Sequence, residues 1–151
     1  MLGAFDTNII VRNTLIADNM RSPGGQNGSN SGIPLQSTDN NGTGPDLAGD
    51  FTSQGFNLIG AADGSTGFTN GVNADQAGSI AAPIDPMLGP LQMNGGPTPT
   101  HQLLPGSPAI NQGDSFGVHT DQRGDRRPFP YPNIPNAPGG DGSDIGAFEL
   151  E

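Results

Sequence analysis

The sequence predicts an all-β fold of short strands and long irregular loops. Two observations carry that reading. Apolar residues are bunched in short runs, and the first of these runs alternates β-branched residues in the manner of a strand. The third observation pulls the other way: 25 Gly and 15 Pro in 151 residues is a composition typical of low-complexity chains. The runs "FDTNIIVRNTLIADN", "GFNLIG", "DPMLGPLQM", "HQLLPGSPAI" and "DIGAFEL" decide for folding, because disordered acidic segments do not concentrate apolar residues in this way. One domain is expected over residues 1–151, with a small core and much of its mass in loops. It divides into a solenoid rung at 1–20, a loop at 21–50, and a loop-rich cap with a closing strand at 51–151.

In "FDTNIIVRNTLIADN", Thr7, Ile9 and Val11 alternate, and Leu15-Ile16-Ala17 follows Asn13 as a second short run. Two short strands separated by Asn fit one rung of a parallel β-solenoid. Asn tolerates left-handed backbone at such corners, and its side chain reaches the same position of the next coil. Asn8, Asn13 and Asn19 are the candidates for this role; the alternative is that they are ordinary turn and surface residues. The rung, residues 5–17, presents apolar faces that need a neighbour.

Residues 21–50, "RSPGGQNGSNSGIPLQSTDNNGTGPDLAGD", hold hardly any apolar residue beyond Ile33, Leu35 and Leu47 and read as a long loop. The sequons at Asn27 and Asn41 are chance matches in an Asn-rich stretch. "FTSQGFNLIG" is of strand length and ends on Gly60, and "AADGSTGF" reads as a Gly-rich turn. No helix is expected, save a turn or so around residues 75–80.

Pro97, Pro99, Pro105 and Pro108 forbid both a helix and a central strand. That segment must run extended, with tight turns at Gly95-Gly96 and Pro105-Gly106, and should send Leu103, Leu104, Ala109 and Ile110 to the core. The final "SDIGAFELE" has a strand pattern, with Ile145, Ala147 and Glu149 on one side and Gly146, Phe148 and Leu150 on the other. It is expected to close the domain as a strand added to the body.

Charge and composition exclude some functions. The net charge is −10, and the five basic residues, all Arg, cannot present the cationic stripe that a phosphate backbone requires, so no nucleic-acid partner is expected. Arg123, Arg126 and Arg127 are interleaved with Asp121 and Asp125 and should pair with them locally. No apolar run has the length of a membrane span, and no signal peptide opens the chain. The absence of Cys and Lys and the Asn/Gly/Thr-rich texture favour an extracellular bacterial protein that never adopted disulfides.

No catalytic set is identifiable. His101 and His119 are the only histidines, and Asp121 lies two residues beyond His119, but no metalloprotease helix motif, nucleophile elbow or phosphate loop accompanies them. Histidines alone in loops are more often hydrogen-bonded structural residues. Acidic Gly-rich loops such as "GGDGSD" can wrap a hard cation, which makes Asp114, Asp121, Asp125, Asp141 and Asp144 candidate ligands for a structural calcium, although no EF-hand or nonapeptide repeat is present. No other cofactor is expected. Arg123-Gly124-Asp125 matches an integrin-binding tripeptide, but three residues recur by chance.

Read in order, "NTLIADN", "SQGFNLIG", residues 85–114, "TDQRGDRRP" and "DIGAFE" resemble the choice-of-anchor Q domain found toward the C-terminal end of large bacterial surface proteins. The resemblance covers nearly the whole chain, and its most specific parts are residues 85–114 and the terminal "DIGAFE". It implies the terminal rungs of a right-handed parallel β-helix, a long proline-rich capping segment, and a closing C-terminal strand. It further implies a non-enzymatic structural module at the cell surface, serving adhesion or display, whose partners are upstream rungs, a neighbouring copy or cell-surface carbohydrate. No sorting tail follows Glu151 here, so anchoring is not carried over. The competing class is a β-helical polysaccharide lyase or glycosidase. The scarcity of aromatics, 5% with no Trp, argues against it by removing the platforms on which sugars stack.

Overall fold

A computed structural model describes residues 9–19 and 45–151. Within them lie six short strands: β1 (Ile9–Val11), β2 (Leu15–Ile16), β3 (Ala48–Ser53), β4 (Leu58–Ile59), β5 (Gly64–Thr66) and β6 (Gln76–Ala77). The described residues contain no α-helix, and none is long and apolar enough to cross a membrane. The fold is all-β.

The chain passes alternately between two three-stranded sheets, one ordered β1-β3-β5 and the other β2-β4-β6, and every strand pair is parallel. Leu15 lies beside Leu58 and Ile16 beside Ile59, so two Leu-Ile dipeptides stack in register. The corner that joins the sheets repeats as well. Asn13 at φ 44°, Gly55 at φ 99° with Phe56 at φ 56°, and Asn73 at φ 54° turn the chain at three successive levels. They are tied together by Asn13 N–H to Gly55 O (3.1 Å) and Phe56 N–H to Asn73 O (3.0 Å). A Cβ on Gly55 would stand 2.6 Å from Asn73 O, so only glycine fits there. Asp46 holds a second corner, accepting the N–H groups of Asn19 (2.7 Å) and Ala61 (2.6 Å). The sheets are not closed into a helix.

The core sits against one face of the second sheet. Leu58 joins Leu103, Ala109, Ile110, Ile145, Phe148 and Leu150 in one buried cluster, and Leu15, beside it on β2, and Ala17, just past the end of β2, pack against it. On the first sheet, Val11 is buried while Ile9 and Ile10 are 50% and 55% exposed. Among the described residues no strand pairs with the outer edge of β1.

Several expectations are corrected. The loop assigned to 21–50 ends earlier, because β3 starts at Ala48; the "AADGSTGF" turn contains β5; and the helical turn expected at 75–80 is instead β6. Leu104 is exposed, whereas Leu103, Ala109 and Ile110 are buried as expected. The C-terminal strand is absent. Residues 143–151 bend at 145–147, where Gly146 takes φ 104°, and alternation fails: Ile145, Phe148, Glu149 and Leu150 are all buried while Ala147 is exposed. The physical reason lies in where the backbone bonds go. Ser143 O, Ile145 N–H, Gly146 N–H and Ala147 O pair with Gly113, Ala109, Asn13 and Gln122, four positions on no common strand. Phe5, Thr7, Asn8, Ile33, Leu35 and both sequons lie outside the described residues.

Candidate functional site

Among the described residues, the densest constellation of charged side chains is a buried knot built from residues 121–129 and the C-terminal segment. Asp144 is fully buried and uses its carboxylate to organise backbone: Oδ1 accepts the Asn111 N–H at 2.7 Å and Oδ2 the Leu150 N–H at 2.6 Å. Glu149, also fully buried, accepts the N–H of Phe129 at 2.8 Å and of Asp144 at 3.2 Å. Arg127 lies between them. Its Nη1 donates to Gly146 O at 2.8 Å, its Nη2 to Asp144 O, and its Nε is 3.1 Å from Glu149 Oε2. That last contact is an ion pair without hydrogen-bond alignment, which leaves Nε without a hydrogen-bond acceptor among the described residues.

Asp121 and Arg123 form the outer half. Asp121 accepts Arg123 Nε at 2.8 Å, together with the N–H groups of Arg123, Asp125 and Glu149. Arg123 Nη2 donates to Glu149 O at 2.6 Å, and its guanidinium stacks 3.8 Å from the centre of the Phe148 ring. Each pKa follows from this geometry. Burial would raise that of Asp121, but donors from Glu149, Arg123 and Asp125 outweigh it and hold the carboxyl below the usual range. Burial pushes Asp144 upward despite the N–H groups of Leu150 and Asn111 and the Arg127 charge. For Glu149, burial likewise outweighs the Phe129 N–H and, with the Asp144 charge nearby, lifts the pKa to about 7.

A second buried network lies inside the strand stack. Asn57 donates its side-chain amide to Asp75 Oδ1 (2.9 Å), Ser53 Oγ (3.0 Å) and Val11 O (3.3 Å), and accepts the Thr14 N–H (3.0 Å). One carboxamide thereby ties three levels together. Asn13 meets part of its expected role: its side chain bonds Asp144 O and the Asp114 N–H, reaching the C-terminal block rather than another corner Asn. Asn19 bonds Asp46.

The candidate calcium ligands are engaged separately. Asp114 accepts the Phe116 N–H at 2.6 Å, and Asp125 pairs with Arg123 at 3.1 Å. Asp141 accepts from Ser115 and Ser143, which hold its pKa below the usual range against the opposing effect of burial. Among the described residues no three His, Cys, Asp or Glu side chains converge as a metal site would require. His101 is exposed, with Nδ1 2.7 Å from Gly89 O, and His119 is exposed while Asp121 turns inward to Arg123. The Arg-Gly-Asp tripeptide is folded onto itself by the Arg123–Asp125 ion pair, and the Arg123 side chain is only 11% exposed. The expected local pairing of Arg123 is found; Arg127 instead reaches Glu149.

Sequence reasoning passed over Glu149, Asn111, Asn57 and Asp75. One signal was available for Glu149: an acid placed between Phe148 and Leu150 in an otherwise apolar run calls for a buried cation. No family model matches the chain, and neither a curated protein nor a solved structure matches it.

Proposed function

We propose that this chain is a non-enzymatic extracellular module that ends or caps a β-helical surface protein, as its resemblance to the choice-of-anchor Q domain implies. The observation that carries this reading is the winding itself: strands alternate between two parallel sheets over three levels, and the outermost described strand, β1, exposes Ile9 and Ile10. An apolar edge of parallel strands is a template for a further rung, supplied by preceding coils or by a neighbouring copy. The irregular residues that follow β6, rather than the whole of 51–151, then serve as the cap, because β3 to β6 take up 48–77; they are fixed to the stack by the buried cluster and the ionic knot.

Sedimentation and thermal melting of the chain alone, and of the same chain extended by additional Asn-punctuated rungs, test this reading. The chain alone should self-associate or melt at low temperature, and the extended protein should be monomeric and more stable. A monomeric, heat-resistant chain that gains nothing from the extension would contradict it. The non-enzymatic part is tested on a polysaccharide panel. Release of reducing ends or unsaturated sugars that is lost on changing Asp121 or His119 would overturn it.

A further inference from the structure

A groove of about 620 Å³ opens where the β5–β6 turn, the proline-rich segment and residues 134–138 meet. It presents three carboxamides, Asn70, Gln76 and Gln112, over an apolar lining that includes Pro108, Ile134 and Pro138. The one acid beside it, Asp75, is 2% exposed and directs its carboxylate inward to Ser53 and Asn57. Among the described residues the groove therefore presents no exposed charged group.

Each carboxamide is held by one end. Gln76 Nε2 donates to Pro108 O at 2.7 Å, Gln112 Nε2 donates to Pro135 O at 2.9 Å, and Asn70 Oδ1 accepts the Ala77 N–H at 3.2 Å. These partners fix which end is which, since a carbonyl needs a donor and an N–H needs an acceptor. What is left over is Gln76 Oε1 and Gln112 Oε1 as acceptors and Asn70 Nδ2 as a donor, none of them bonded to another described residue. Side chains already oriented in this way lose little freedom on binding.

From this geometry we infer that the groove binds a neutral oligosaccharide. Sugar hydroxyls donate and accept at once and so can meet two acceptors and a donor, while C–H faces of the ring lie on the proline and isoleucine lining. An added peptide strand fits less well, because Asn70 already covers the Ala77 N–H on the outer edge of β6. An acidic sugar would find no cation among the described lining residues. With no aromatic ring among the described lining residues, binding is weak, with Kd roughly millimolar.

The test is amide chemical-shift mapping of the full chain titrated with neutral oligosaccharides (cello-, xylo- and N-acetylchito-), with oligogalacturonate, and with an uncharged proline-rich peptide. Saturable shifts confined to Asn70, Gln76, Gln112 and their neighbours with a neutral sugar are expected. They should weaken about fivefold to tenfold in Gln76→Met and Gln112→Met, each checked for an otherwise unchanged amide spectrum. No shifts with any neutral sugar, shifts elsewhere on the surface, or preference for the acidic sugar or the peptide would overturn the inference.

Discussion

The strand stack and the C-terminal block solve the same problem by different means. Both must satisfy backbone N–H and C=O groups removed from water. In the stack the answer is a ladder: Leu58 N–H to Thr14 O, Gly60 N–H to Ile16 O and Gly78 N–H to Ile59 O repeat one geometry at successive levels. In the block, proline and glycine rule out a ladder, and buried side chains take its place. Asp144 serves Asn111 and Leu150, Glu149 serves Phe129 and Asp144, and Asn111 Oδ1 serves Tyr131. Much of this chain's acidity therefore works internally. Its carboxylates are acceptors that replace missing strands.

Removal of one such acceptor should have the largest effect. Asp144→Ala leaves two buried N–H groups unpaired and takes a counter-charge from Arg127, a loss on the order of 5 kcal/mol, comparable to the whole stability of a small domain. The variant should be unfolded in thermal melts and sensitive to limited proteolysis. Phe148→Ala comes next, at about 3–5 kcal/mol, because it empties the core cluster and removes the ring under Arg123. A melt unchanged from the parent in either variant would show that the C-terminal segment is held by something else.

The pH dependence sharpens the comparison, because the two kinds of carboxylate shift in opposite directions. Glu149, raised from 4.5 to about 7, holds its proton more tightly in the folded chain. Its contribution is present below pH 4.5 and is lost as pH rises through about 7, an effect of about 3 kcal/mol. Asp144 acts in the same sense, from 3.8 upward. Asp121 and Asp141 are lowered, so their contribution is present above 3.8 and is lost as pH falls below it. The melting temperature should therefore peak on the mildly acidic side and fall toward pH 8, and Glu149→Gln should flatten that fall. A parent whose melting temperature rises steadily from pH 5 to 8 would contradict the assignment. The smallest effect belongs to the stack's surface: Thr66→Val removes an exposed hydroxyl bond to Asp50 and should stay within about 0.5 kcal/mol.

The same contrast explains what the sequence disclosed. Ile9, Val11, Leu15 and Ile16 were legible as strands because alternation and β-branching are local signals. β5, with the sequence Gly-Ser-Thr, carries no such signal; it is a strand because Ala48–Asp50 lies beside it in register. In "SDIGAFELE" the alternation misled. A positive φ at Gly146 breaks the alternation, and the groups that hold its peptide, Asn13 O and the Arg127 guanidinium, come from residues far away in the chain. The acids were visible as candidate ligands, and Asp144 also as an acceptor of backbone N–H groups at the turn entering the last segment or as a partner for one of the nearby arginines. It does accept backbone N–H groups, but those of Asn111 and Leu150, which only folding brings to it.

Native-state hydrogen exchange reads the substitution of carboxylates for a ladder residue by residue. If carboxylates replace a ladder, the amides of Asn111 and Leu150 should be protected to the same degree as those of Leu58 and Gly60. In Asp144→Asn, under conditions where the chain stays folded, the carboxamide keeps one acceptor oxygen, so the protection of one of Asn111 and Leu150, the one that now faces the NH2 group, should fall selectively while that of Leu58 and Gly60 persists. Exchange of Asn111 and Leu150 at loop rates in the parent, alongside protected Leu58 and Gly60, would contradict the account.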